Sequence, residues 1–71
     1  MNPRLIRAHF EIMQSKRVTV GLTTDHYLCG TWTALQKQTA IFRIGEREMT
    51  CPLFEIANIS EAPPLQTDFF K

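Results

Sequence analysis

Seventy-one residues with a formal net charge of +1 make a single small domain, and a chain of this size buries only about 60% of the surface its unfolded form exposes. The near-neutral balance excludes a uniformly basic nucleic-acid coat. Two cysteines, Cys29 and Cys51, lack CxxC spacing and sit inside apolar or β-like runs, which argues against a zinc site.

A core this small leans on disulfides, a metal, idealised packing or self-association. The cysteines are expected as small buried thiols, although neighbouring strands could also join them in one disulfide. No leader-type segment opens the chain and no apolar run approaches the ~18 residues of a membrane span, so the cytoplasm is the expected compartment. Oligomerisation is then the leading support for the core. The charge is also local: Arg4, Arg7, Lys16 and Arg17 face only Glu11 in residues 1–17, a net +3, whereas residues 18–71 carry a net −2.

In chain order, Asn2-Pro3 predicts a helix start, with Asn as N-cap and Pro at the first helical position, where no N–H is needed. Leu5, Ile6, His9, Phe10, Ile12 and Met13 then follow the helical period, with Arg4, Arg7, Glu11 and Gln14 opposite. The helix is expected over about residues 3–15. From Arg17 the period becomes two, with Val18, Val20 and Leu22 on one face, and a first strand is expected. Residues 23–26 read as a turn, and a second strand runs from Tyr27 to about Leu35. Within it Gly30 marks a bend or a close backbone approach.

A third strand, about Thr39 to Ile44, ends at the hairpin signal Gly45-Glu46. A fourth, Arg47 to Cys51, is stopped by Pro52, and after the connection Leu53-Phe54-Glu55 a brief fifth covers Ile56 to Ser60. Trp32 shares the face of Gly30 and is expected in the core with Phe42 and Ile44. Tyr27 reads as a surface aromatic, His9 as a half-buried histidine and His26 as turn chemistry. Pro63-Pro64 closes the folded part. The domain is expected over residues 1–61 and a flexible tail over residues 62–71, including Asp68-Phe69-Phe70.

A helix followed by five bent antiparallel strands resembles the Sm-like proteins, the family that includes bacterial Hfq. The residues that carry the likeness are Val18-x-Val20-x-Leu22, a short turn, and Leu28-x-Gly30-x-Trp32 with its glycine in mid-strand, then Ala40 to Ile44 and Glu55 to Ile59. Gln36 stands where the family usually has a loop aspartate, Asp25-His26 where it usually has a glycine, and Pro52-Leu53-Phe54 where Hfq carries Tyr-Lys-His. The resemblance therefore points to a divergent Sm-like protein. It implies a mainly β fold, an N-terminal helix on a small five-stranded, strongly bent SH3-like barrel. It also implies a ring of about five to seven copies, closed by pairing strand four of one copy with strand five of the next. Met49, Cys51, Ile56 and Ile59 are the interface candidates.

In such a ring the loop Gln36-Lys37-Gln38 and the connection bearing Phe54 would face the pore. Lys37 would meet phosphate, Gln36 or Gln38 a base edge, and Phe54 would offer a stacking platform. Arg4, Arg7 and Arg17 would add phosphate contacts on the helix-bearing face. The expected function is a homo-oligomeric ring binding single-stranded RNA, in the manner of an RNA chaperone or RNA-metabolism factor. The alternative is a small SH3-like module that binds or inhibits another protein. No catalytic constellation, metal site or cofactor motif emerges from the residues, and no enzyme is expected.

Overall fold

A computed structural model describes residues 2–71 of the chain; Met1, counted in the expected domain, lies outside the described residues. Helix α1 (Pro3–Met13) starts as its sequence dictates, since the Asn2 side chain accepts from the Arg4 N–H at 2.8 Å and Pro3 fills the first turn. It stops two residues short of expectation because Ser15 takes a left-handed φ of 66°. The Ser15 N–H then donates to the Trp32 carbonyl at 2.8 Å, and the chain turns into the sheet.

The strands are β1 (Arg17–Leu22), β2 (Tyr27–Leu35), β3 (Thr39–Ile44), β4 (Arg47–Pro52), β5 (Ile56–Glu61) and the two-residue β6 (Phe69–Phe70), with a 3₁₀ turn at Leu53–Glu55. They form one antiparallel sheet in the order β4-β3-β2-β1-β5, with β6 set against β2 off that path. β2 is the hinge of the arrangement. Its first half pairs with β1 up to Arg17↔Thr31, and its second half pairs with β3 from Thr31↔Arg43 onward. The changeover falls beside Gly30, where a Cβ would stand 2.4 Å from the Arg43 carbonyl oxygen.

The expected helix-plus-β plan is therefore present, but the sheet is not closed into a barrel. Among the described residues β4 and β5 share no ladder, and they stand at the two ends of the path. Closure requires tilt and stagger that bring the end strands into register. Here the 3₁₀ turn sends the chain from β4 across to the far side of β1 instead.

The second departure is the C-terminal segment. Rather than a free tail, residues 66–71 lie along the first half of β2, with Leu28↔Phe70 and Cys29↔Phe69 in register. That half of β2 has β1 on one side and lacks β3 on the other, so its backbone donors and acceptors are available. Two phenylalanines and an aspartate complete the match.

One core fills the concave side. Val18, Val20, Leu22, Leu28, Trp32, Ala40, Phe42, Cys51, Leu53, Ile56 and Ile59 bury themselves with Ile6 of the helix. The Trp32 ring lies 5.1 Å from that of Phe10 and 5.5 Å from that of Phe42, and its indole N–H donates to the Ala34 carbonyl at 3.2 Å. The helix stripe proves narrower than its sequence pattern. Ile6, Phe10 and Met13 reach the core, while Leu5 and Ile12 form an exposed ridge, 54% and 68% accessible. Among the described residues no helix is long and apolar enough to cross a membrane.

Candidate functional site

The β2–β3 loop is a four-residue turn closed by Gln36 N–H donating to the Thr39 carbonyl at 2.8 Å. It needs no Gly or Asn because none of Gln36, Lys37 and Gln38 takes a left-handed φ. Two outside contacts fix it. The Leu53 N–H donates to the Gln38 carbonyl at 3.0 Å, and Arg7 Nη2 donates to the Lys37 carbonyl at 3.2 Å. Helix, loop and 3₁₀ turn are thus tied at one end of the molecule.

Between them opens a groove of about 360 Å³, lined by Pro3, Arg7, Lys37, Gln38, Leu53 and Phe54. Its floor is apolar, with Leu53 buried and Pro3 from the first helical turn. Phe54 on its rim is 78% exposed. A 3₁₀ turn places successive side chains about a third of a turn apart, which is why Leu53 enters the core while Phe54 faces solvent. Two cations and an amide edge the groove, and no carboxylate belongs to its lining. A flat ring beside fixed positive charge is suited to a planar anionic ligand.

The structure thus brings together four of the residues selected from sequence: Arg7, Lys37, Gln38 and Phe54. Gln36 is exposed in the same loop but does not line the groove, and Arg4 is exposed one turn away on the helix. Pro3 and Leu53 could not be picked out from sequence because each already had a structural role. Proximity to both Arg7 and the loop is a property of the tertiary fold alone.

Arg17 belongs to a different cluster. Its Nη2 and Nε donate to Asp68 Oδ1 at 2.7 and 3.1 Å, and Nη2 also reaches the Gln66 carbonyl and, at 3.5 Å, Cys29 Sγ. Asp68 Oδ2 accepts from the Gly45 N–H at 2.9 Å, an amide at the tip of the β3–β4 hairpin. The Gly45 amide, with the Arg17 hydrogen bond and the charges of Arg17 and Arg43, holds the Asp68 carboxyl below the usual aspartate range despite some desolvation. The sole acid of the tail opposite a basic N-terminal region was the signal that could have found this pair.

A depressed pKa in the docked state fixes the sign of its pH dependence. The Asp68 contacts support docking of the segment above the ordinary aspartate pKa of about 3.9, and that support fades as pH falls through the lower docked value. In an NMR titration the Gly45 amide resonance is expected to move with a midpoint below about 3.9, together with the amides of Phe69 and Phe70. A midpoint at or above the ordinary value contradicts this reading.

The four interface candidates divide. Met49 is half-buried against the core, whereas the side chains of Cys51, Ile56 and Ile59 are buried within the single chain. A contact between end strands of two copies would therefore run through backbone groups and outward residues such as Glu48, Thr50, Asn58 and Ser60. Cys29 and Cys51 are free and buried, which settles the choice between thiols and a disulfide. Burial, with the charge of Glu55 second, pushes the Cys51 thiol up to about 11. Tyr27 is exposed, His9 is half-buried, and the His26 ring stacks on Phe70 at 5.4 Å. Comparison with protein families, curated proteins and solved structures finds no match to this chain.

Proposed function

We propose that this protein binds single-stranded RNA as a homo-oligomeric, Sm-like ring. The observation that carries the proposal is Phe54, held open on the rim of an apolar groove that Arg7, Lys37 and Gln38 edge. A base stacks on Phe54, the following phosphate meets Lys37 or Arg7, and the Gln38 amide reaches a base edge. Each site is weak alone, and repetition around a ring supplies the affinity that a net charge of +1 does not.

The sheet order supports the ring. β4 and β5 end the path, and an end strand is a template for pairing with another chain. Head-to-tail contact between β4 of one copy and β5 of the next closes about five to seven copies. An assembly of this kind, holding short RNA segments at many sites, fits an RNA chaperone or RNA-metabolism factor.

Fluorescence anisotropy with oligo(U) and oligo(A) tests the reading. Binding is expected to weaken as salt rises, and Lys37→Ala is expected to flatten the log–log slope by about 0.7 for each phosphate that Lys37 neutralises. Absence of salt-sensitive binding at micromolar protein, or a slope unmoved by Lys37→Ala, sinks it. A second reading, a small SH3-like module that binds another protein, draws on the exposed Leu5 and Ile12 ridge. Light scattering separates the two, because a ring has several times the 8.2 kDa mass of the chain and the module does not.

A further inference from the structure

The first half of β2 is a sheet edge with a built recognition site beside it. Backbone pairing supplies affinity there: the Tyr27 N–H donates to the Lys71 carbonyl at 2.7 Å, and the Lys71 N–H donates back to the Tyr27 carbonyl at 2.8 Å. Side chains supply selectivity. Arg17 and the Gly45 amide take both oxygens of one carboxylate, and His26 offers a face to an aromatic ring two residues further on. Strand addition at an edge with pockets for particular side chains is a general mode of peptide recognition. The segment seated there is Gln66-Thr67-Asp68-Phe69-Phe70-Lys71.

Residues 62–65 connect that segment to β5, with the Gln66 N–H closing a turn onto the Pro63 carbonyl at 3.1 Å. The Ala62 N–H is tied to the Arg17 carbonyl at 3.1 Å, but Pro63, Pro64 and Leu65 are exposed, Leu65 at 97%. Four extended residues span about 14 Å, less than the 19 Å short axis of the molecule, so exchange needs the β2 edges of the two copies to lie close together. A segment released from its own sheet can reach the edge of a copy packed directly against it. Every contact it makes in cis it can make again in that copy, so exchange changes only the path of the linker.

We propose that the outer edge of β2 is a strand-addition site for an Asp-Phe-Phe segment, filled in cis by the chain's own C-terminus and able to accept that segment from a second copy. The site stands apart from the groove at Phe54 and does not depend on RNA binding. The cis segment competes at an effective concentration in the millimolar range, so exchange grows with protein concentration and with any weakening of the acceptor's own segment.

The test uses full-length chains. A labelled peptide of residues 66–71 is titrated by anisotropy into the wild-type protein and into an acceptor carrying Asp68→Ala and Phe70→Ala. Binding to the acceptor is expected to be at least about tenfold tighter than to wild type, absent for a scrambled peptide, and abolished when Arg17→Ala is added. Trp32 fluorescence checks that the Arg17 variant is folded. Should it not fold, Arg17→Lys, which keeps the charge without the fork, replaces it.

A second measurement needs no substitution. Cys29 pairs with Phe69 and is fully buried, although it lies outside the core cluster, so its alkylation in wild type reports opening of the edge. Free peptide is expected to slow that reaction in proportion to its occupancy. For the second-copy arm, ¹⁵N-labelled acceptor is mixed with unlabelled donor bearing photoreactive benzoylphenylalanine at position 69. Mixed-isotope cross-links to the β2 peptide are expected. A peptide that fails to bind the acceptor at about 1 mM, or that binds equally without Arg17, overturns the site. Peptide binding with cross-links confined to one isotope overturns the exchange between copies.

Discussion

Gly30→Ala is expected to destabilise the protein by about 3 kcal/mol, the upper part of the range for inserting atoms into a packed interior. The new Cβ would stand 2.4 Å from the Arg43 carbonyl oxygen, 3.0 Å from Ile44 Cγ1 and 3.1 Å from the Arg43 carbonyl carbon. A side chain could rotate away, but Arg43 meets the contact with its backbone, and its register with Thr31 holds β3 onto β2. The strands must separate where β2 passes from β1 to β3. Gly21 provides the control, because the nearest atoms to a Cβ there are those of the Asn58 side chain, from 2.8 Å, and Gly21→Ala is expected to be the milder change. With about 4–8 °C per kcal/mol for a domain of this size, Gly30→Ala lowers Tm by roughly 12–24 °C. Trp32, the single tryptophan, reports the transition. A loss below about 1 kcal/mol contradicts the close-approach account.

Gly30 also shows what a sequence can disclose. A glycine interrupting Leu28-Cys29-Gly30-Thr31-Trp32 has few explanations in a strand, and the strand boundaries followed from period-two alternation to within a residue or so. Ser15 was opaque by contrast, since nothing in its neighbourhood marks it for a left-handed φ. The helix stripe is narrower than its apolar pattern, because apolar residues at helical spacing do not say how wide a face the sheet can cover. Leu5 and Ile12 lie beyond that width. Phe69 and Phe70 beyond two prolines look like a loose tail until the vacant side of β2 is known, and Arg17 looks like a free cation until Asp68 is placed beside it. Local periodicity was legible, and pairings across 40 or more residues were not. For the same reason Lys37 and Phe54 could be named as binding residues individually, while the groove joining them to Arg7, Pro3 and Leu53 could not.

Phe54→Ala is expected to weaken RNA binding with little effect on folding, and the contrast with Leu53 explains why. Leu53 is 5% exposed and part of the core, whereas Phe54 is 78% exposed, so truncating Phe54 opens no cavity and stability should stay within about 0.5 kcal/mol of wild type. Base–aromatic stacking contributes ~1–3 kcal/mol per base, which converts to roughly 5- to 150-fold in affinity for each engaged site. In a ring the loss repeats at every copy that the RNA spans. Phe54→Tyr keeps a π face and should remain near wild type. Phe54→Leu keeps apolar area without the face and should behave like the alanine variant, which separates stacking from hydrophobic contact. Lys37→Ala acts differently, lowering affinity mainly at low salt and flattening the salt slope, because a phosphate contact is screened and a stacked base is not. If Phe54→Ala and Phe54→Leu both bind oligo(U) and oligo(A) as wild type does while remaining folded, Phe54 is not a stacking platform and the groove is not where RNA sits.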